Sequence, residues 1–193
     1  MSTGQWFTDR IGTRWFFDAG ALGLDFAYTG DFGYSNPSWE RLHTPLDLTA
    51  WLTERFGPLS SPATPADLAS ARRLRDAITA IARAVAANMS PQSEPIDVLN
   101  DVAAQPDLNP VLAGGSIPPS CATVPRALSM IARDAIHVFA ESPDRIRRCG
   151  ADDCGLIFFD GSRPGVRRWC SMQRCGNRAK VRNHRSRTKE QTP

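Results

Sequence analysis

Cys149-Gly150-Ala151-Asp152-Asp153-Cys154 and, fifteen residues further on, Cys170-Ser171-Met172-Gln173-Arg174-Cys175-Gly176-Asn177-Arg178 decide how this chain is built. Each stretch opens on a Cys-x4-Cys pair. Two close thiol pairs, separated by a span long enough for a hairpin, supply four donors to one tetrahedral zinc at about 2.3 Å per sulfur. A disulfide and an iron–sulfur cluster are the competing uses of four thiols. Gly150 and Gly155 relieve the first loop, residues 156–159 read as a strand, 160–165 as a turn, and 166–169 lead back to the metal. Residues five apart on a continuous helix stand about 140° out of register. Cys170 must therefore precede the helix, with Ser171 as its cap and Cys175 in or just after the first turn. Knuckle, hairpin and a helix carrying the last ligand make a treble-clef-like finger.

Beyond Ser171 the spacing predicts a basic helix. Arg174, Arg178, Arg182 and Arg185 recur at four, four and three residues and form one narrow stripe, flanked by Asn177, Val181 and His184. Met172, Cys175, Ala179 and Ser186 fall opposite and can face the metal. No acidic residue lies between Asp160 and Glu190 to pair with the stripe. A phosphate backbone would relieve the repulsion and release counterions, and Arg and Asn offer bidentate contacts to guanine and adenine edges. The candidate nucleic-acid contacts are Arg163, Arg167, Arg168, Arg174, Asn177, Arg178, Lys180, Arg182 and Arg185. Zinc with four thiolates carries a formal −2, so Arg147, Arg148 and Arg168 could serve instead as donors to sulfur.

The net charge of +3 hides a split. Residues 1–144 hold 10 Lys+Arg against 16 Asp+Glu, net −6, and residues 145–193 hold 13 against 4, net +9. A basic module on an acidic body calls for a polyanionic partner. At 193 residues and 41% hydrophobic, the chain can build one sizeable core plus a small satellite. It shows neither a signal peptide nor a run of transmembrane length, which points to the cytoplasm, no membrane partner, and reduced thiols. Cys121 has no near partner and reads as a small buried hydrophobe.

Upstream, residues 14–18 and 22–28 are apolar, aromatic-rich runs around Ala19-Gly20-Ala21 and read as a β-hairpin. Residues 30–37 are a loop. Thr44-Pro45-Leu46-Asp47 is a helix start, with Leu48, Trp51, Leu52 and Phe56 facing one way and Gly57-Pro58 stopping it. Thr64-Pro65-Ala66-Asp67 repeats the signal ahead of the longest apolar stripe, Leu68, Ala71, Leu74, Ile78, Ile81 and Val85. Residues 93–104 form a shorter helix with Ile96, Leu99 and Val102 inward, 109–125 a long connection, and 125–141 a last helix. Ser142-Pro143-Asp144 breaks it.

Arg168-Trp169-Cys170-Ser171-Met172 followed by Cys175-Gly176-Asn177-Arg178-Ala179-Lys180 resembles the CGNR zinc finger, named for that tetrapeptide. Leu22-Gly23-Leu24-Asp25-Phe26-Ala27-Tyr28-Thr29 is similar to the L-x-L-D-F-x-N-T run that opens the companion ABATE domain, with Tyr28 in place of the Asn. Thr44-Pro45-Leu46-Asp47-Leu48-Thr49-Ala50-Trp51-Leu52 matches that family's early helix. The resemblance covers nearly the whole chain. It implies a bacterial stress-induced transcription regulator with the four cysteines as zinc ligands.

Other chemistry is sparse. His43, His137 and His184 lack ligand spacing, and the sequence has no nucleophile elbow, phosphate loop or paired-carboxylate signature. A four-thiolate zinc leaves no open coordination position, which argues against an enzyme. Strand alternation turns Asp25 to solvent; the sharper alternative is an effector pocket lined by Asp25, Tyr28 and Thr29 near Trp39. The expected architecture is α+β: a mostly helical regulatory domain over 1–143 with a small β-hairpin, a zinc finger over 144–189 holding one structural Zn2+, and a tail over 190–193. The expected function is DNA binding through the basic helix, with the N-terminal domain sensing a small-molecule effector or forming a homodimer. RNA or ribosome association, and a protein-interaction role with purely structural zinc, are the other readings.

Overall fold

A computed structural model describes residues 3–8, 12, 14–108 and 122–182. The body is built on four long helices: α2 (Pro45–Phe56), α3 (Pro65–Ala86), α4 (Ser93–Ala103) and α5 (Val124–Glu141). Both Thr-Pro-x-Asp signals are reciprocal caps. Thr44 and Thr64 accept from the Asp47 and Asp67 amides, and each Asp carboxylate accepts from its threonine amide at 2.7 and 2.8 Å. The α3 stripe is the centre of the core: Leu74 and Ile78 are fully buried, each stabilising by roughly 1.5–3 kcal/mol. On α4, Leu99 and Pro95 are buried, but Ile96, expected inward, is exposed.

The N-terminal hairpin is not the expected one. Strand β1 (Gln5–Thr8) pairs antiparallel with β2 (Arg14–Phe17) in the register Gln5↔Phe17 to Thr8↔Arg14. The run expected as its second strand is a short helix, α1 (Leu22–Ala27), with every residue buried. A continuous apolar run carries no period, so sequence pattern alone cannot separate strand from buried helix. Tertiary contacts decide it: Asp134 on α5 accepts from the Gly23 amide at 2.7 Å at the start of α1. Gly23 itself leaves no room, since a Cβ there would stand 2.8 Å from that of Ala135.

Beyond a 3-10 turn at Pro143–Arg145, β3 (Ile146–Arg148) pairs antiparallel with β4 (Ile157–Phe159). The finger hairpin therefore straddles the first cysteine pair; residues 166–169 return to the metal as extended chain outside any sheet. Ile146, Leu156, Ile157 and Phe158 are buried in the same core as the helices.

Candidate metal centre

Backbone hydrogen bonds shape the first knuckle: Cys149 N–H to Leu156 O at 2.8 Å, Gly150 N–H to Arg168 O at 2.9 Å, and Cys154 N–H to Ala151 O at 3.0 Å. Cys170 precedes the finger helix as expected, and its amide donates to Cys149 Sγ at 3.4 Å. The helix opens as a π turn over Met172–Gly176, closed by Gly176 N–H to Ser171 O at 3.1 Å, and continues as α-helix over 177–182. Cys175 lies in that first turn.

The four Sγ atoms lie within 4.8 Å of one another, with Cys154–Cys170 at 3.8 Å and Cys170–Cys175 at 3.5 Å. A tetrahedron with 2.3 Å metal–sulfur bonds has sulfur–sulfur edges of about 3.8 Å, so the cluster is shaped for one ion. The separations are far beyond the roughly 2.05 Å of a disulfide, and all four thiols are free. Protons tell the same story. Hydrogen bonds from Cys154 and Cys170 favour the Cys149 thiolate, while the hydrogen bond to Cys149 pushes Cys154 up to about 12 and Cys170 well above the ordinary range. Zinc takes its sulfur ligands as thiolates, so loading the cluster releases protons.

The CGNR tetrapeptide has a role at each end. A Cβ on Gly176 would stand 2.7 Å from Met172 Sδ and 3.3 Å from Trp169 Cδ1. Arg178 donates through Nη2 to Cys175 Sγ at 3.2 Å and through Nη1 to Asp153 at 2.7 Å. It thus ties the second ligand pair to the first knuckle and feeds a positive donor to sulfur. The arginine that donates to sulfur is therefore Arg178 rather than Arg147, Arg148 or Arg168.

Two matches follow from this geometry. Residues 20–142 match the family model for ABATE, described as "Putative stress-induced transcription regulator". The chain belongs to the ABATE family. In this ABATE protein residues 145–188 match the CGNR zinc finger, and Cys149, Cys154, Cys170 and Cys175 hold one structural zinc. No curated protein matches the chain.

Among the described residues, the predicted arginine stripe is broken. Arg174 lies inside the π turn and Arg178 just beyond it, and the two meet different partners. Arg174 turns back over the Trp15 ring at 4.3 Å, and Arg178 faces the cluster. Arg167 is also engaged: it lies 4.2 Å from the Phe158 ring centroid and donates to Asp18 O, Trp169 O and Cys170 O. Arg163, Arg168, Asn177, Lys180 and Arg182 are exposed, Arg168 lying 5.1 Å from the Trp169 centroid. Arg185, His184 and Cys121 lie outside the described residues.

The expected effector pocket is closed. Asp25, Tyr28 and Thr29 have no exposed surface, so a ligand arriving from solvent cannot reach them. Asp25 accepts from Gly4 N–H at 2.6 Å and Ala19 N–H at 3.0 Å. Thr29 donates to Phe26 O at 2.7 Å. Trp39 packs on Phe7 and Tyr34. Tyr28 has a role that the sequence reading did not foresee. Its hydroxyl donates to Ile157 O at 3.0 Å and accepts from Ile157 N–H at 2.8 Å, clamping β4 of the finger to the helical body. Phe159 N–H adds a bond to Ala19 O at 2.7 Å beside Gly20, whose φ is +83°. Among the described residues no helix is long and apolar enough to cross a membrane.

Proposed function

We propose that this ABATE protein is a zinc-dependent, cytoplasmic DNA-binding regulator whose finger meets the phosphate backbone through its exposed cations. The observation that carries the reading is charge without compensation. Arg163, Arg168, Lys180 and Arg182 are exposed and, among the described residues, none forms an ion pair. Of the finger's four carboxylates, Asp153 is spent on Arg178 and the buried Asp160 on Ser162 and the Arg167 amide, while Asp144 and Asp152 are exposed. The zinc cluster, Arg178 and Tyr28 act as scaffold, holding this face rigid against the body. Arg174 and Arg178, engaged with Trp15 and with Cys175 and Asp153, support the finger rather than read DNA. One finger gives little base readout, so two chains acting together are the expected reading unit.

The test is a fluorescence-anisotropy titration of zinc-loaded protein on duplex DNA across a salt series. Lys180→Gln with Arg182→Gln should weaken binding and flatten the plot of log affinity against log salt by roughly 0.9 for each phosphate that is no longer neutralised. Unchanged affinity and slope would overturn the reading. Competition with structured RNA assigns the polymer, and failure to bind any nucleic acid at low salt would favour an acidic protein partner.

A further inference from the structure

A cavity of about 240 Å³ opens where the end of α3 meets the first zinc knuckle. Tyr34, Arg83, Met89, Arg148, Gly155 and Ile157 line it, with two alanines at the end of α3, and none of the lining residues is acidic. Two guanidinium groups reach this space. Arg83 spends Nη1 on the carbonyls of Phe32 and Gly33, at 3.0 and 3.1 Å. That fixes the group in place and leaves its Nε and Nη2 without a hydrogen-bond partner among the described residues. The Arg148 side chain makes no hydrogen bond or ion pair among them.

Gly155, the residue after zinc ligand Cys154, lets these groups approach. A Cβ at that position would stand 3.1 Å from Tyr34 Cε1 and 3.2 Å from Arg148 Nη2. The Tyr34 hydroxyl donates to Gly155 O, and burial pushes that phenol up to about 12, so it remains a donor. The carbonyl end of α3 borders the cavity but is not bare. Ala87 and Met89 N–H cover Ala84 O at 3.0 and 2.9 Å, and Asn88 N–H covers Val85 O at 2.9 Å. Two cations, neither paired with a carboxylate among the described residues, face the cavity and oppose the negative end of α3 and the thiolate cluster behind Gly155.

We propose that this cavity binds a small oxyanion-bearing molecule, its phosphate or carboxylate held between the Arg83 and Arg148 guanidiniums. Arg forks suit both groups, which accept two parallel N–H bonds. A ligand there touches α3 on one side and the zinc knuckle on the other, so occupancy tightens the finger on the body. The site stands whether or not the finger binds nucleic acid.

The test uses the full zinc-loaded chain, with sodium phosphate and sodium succinate titrated against sodium chloride at matched ionic strength. Thermal shift and titration calorimetry are the readouts. Phosphate or succinate should raise Tm saturably above the chloride control, and whichever acts names the oxyanion. Arg83→Gln and Arg148→Gln should each weaken that binding about tenfold or more, the loss expected for a charge-assisted hydrogen bond. Met89→Glu, at an exposed rim position, should place a competing carboxylate in the cavity and abolish the response while leaving zinc content unchanged. No response beyond chloride, or identical responses in all variants, overturns the site. The same variants are titrated with duplex DNA: unchanged affinity supports a separate site, whereas weaker binding with a flatter salt dependence assigns both arginines to the nucleic-acid surface and overturns it.

Discussion

Replacing Tyr28 with Phe removes one oxygen from the interior and keeps the ring. The aromatic contacts survive: the ring stacks on Phe32 at 4.1 Å and meets Phe17 edge-on at 4.9 Å. The variant forfeits the pair of hydrogen bonds to Ile157, one to its carbonyl and one from its amide. Ile157 is buried to 5% exposure, so its backbone groups have little access to water. Each buried backbone group left unpaired costs about 1–3 kcal/mol, which gives about 2–6 kcal/mol for the pair. For a chain of this size that lowers Tm by roughly 4–24 °C. Ile157 pairs with Arg148, next to ligand Cys149, so the finger should also release zinc to a chelator faster. Urea and thermal unfolding followed by circular dichroism at saturating zinc measure the first effect, and a colorimetric chelator the second. A change below about 0.5 kcal/mol, the range of an ordinary surface substitution, with zinc release unaltered, would refute the clamp.

Three further outcomes follow from the same geometry. Arg178→Ala should cut zinc affinity about 10–100-fold by removing the donor to Cys175 Sγ; competition with a chelator of known affinity checks this, and unchanged zinc affinity with weakened DNA binding would return Arg178 to the nucleic-acid face. Gly20→Ala should cost at least about 2 kcal/mol, because φ is +83° and the new Cβ would stand 2.3 Å from Phe159 O; a urea midpoint close to wild type would contradict it. Burial, helped by Asp18 and only partly offset by the Gly4 and Ala19 amides, raises Asp25 from 3.8 to about 6, so the folded chain holds the extra proton between these values and this group's contribution to stability falls as pH rises through that window, then levels. Asp25→Asn lacks this titration, and the wild-type-minus-variant stability should decline from pH 4 to 6; a flat difference would show that Asp25 ionises normally.

The cysteine spacing made the metal centre legible because a tetrahedral ion constrains sequence separation as well as space. The two Thr-Pro-x-Asp caps were legible for a similar reason: every partner lies within three residues. Local rules failed where the deciding contacts were distant. Leu22–Ala27 is helical partly because Asp134 on α5 accepts its Gly23 amide, and no property of the run itself announces that. The arginine stripe assumed that spacing alone decides where a side chain points, but Arg174 meets Trp15 and Arg178 meets sulfur, partners that spacing does not show. Asp25 looked solvent-facing only while its segment was read as a strand. Tyr28 was visible as a departure from the motif it resembles, but its partner Ile157 lies 129 residues away.

X-ray absorption at the zinc edge of the purified full-length chain tests the centre on which the finger's shape depends. One zinc per chain, with four sulfurs at about 2.3 Å, is the expected result. Substoichiometric metal, or a shell in which nitrogen or oxygen replaces one or more sulfurs, would contradict the assignment of Cys149, Cys154, Cys170 and Cys175 as its ligands.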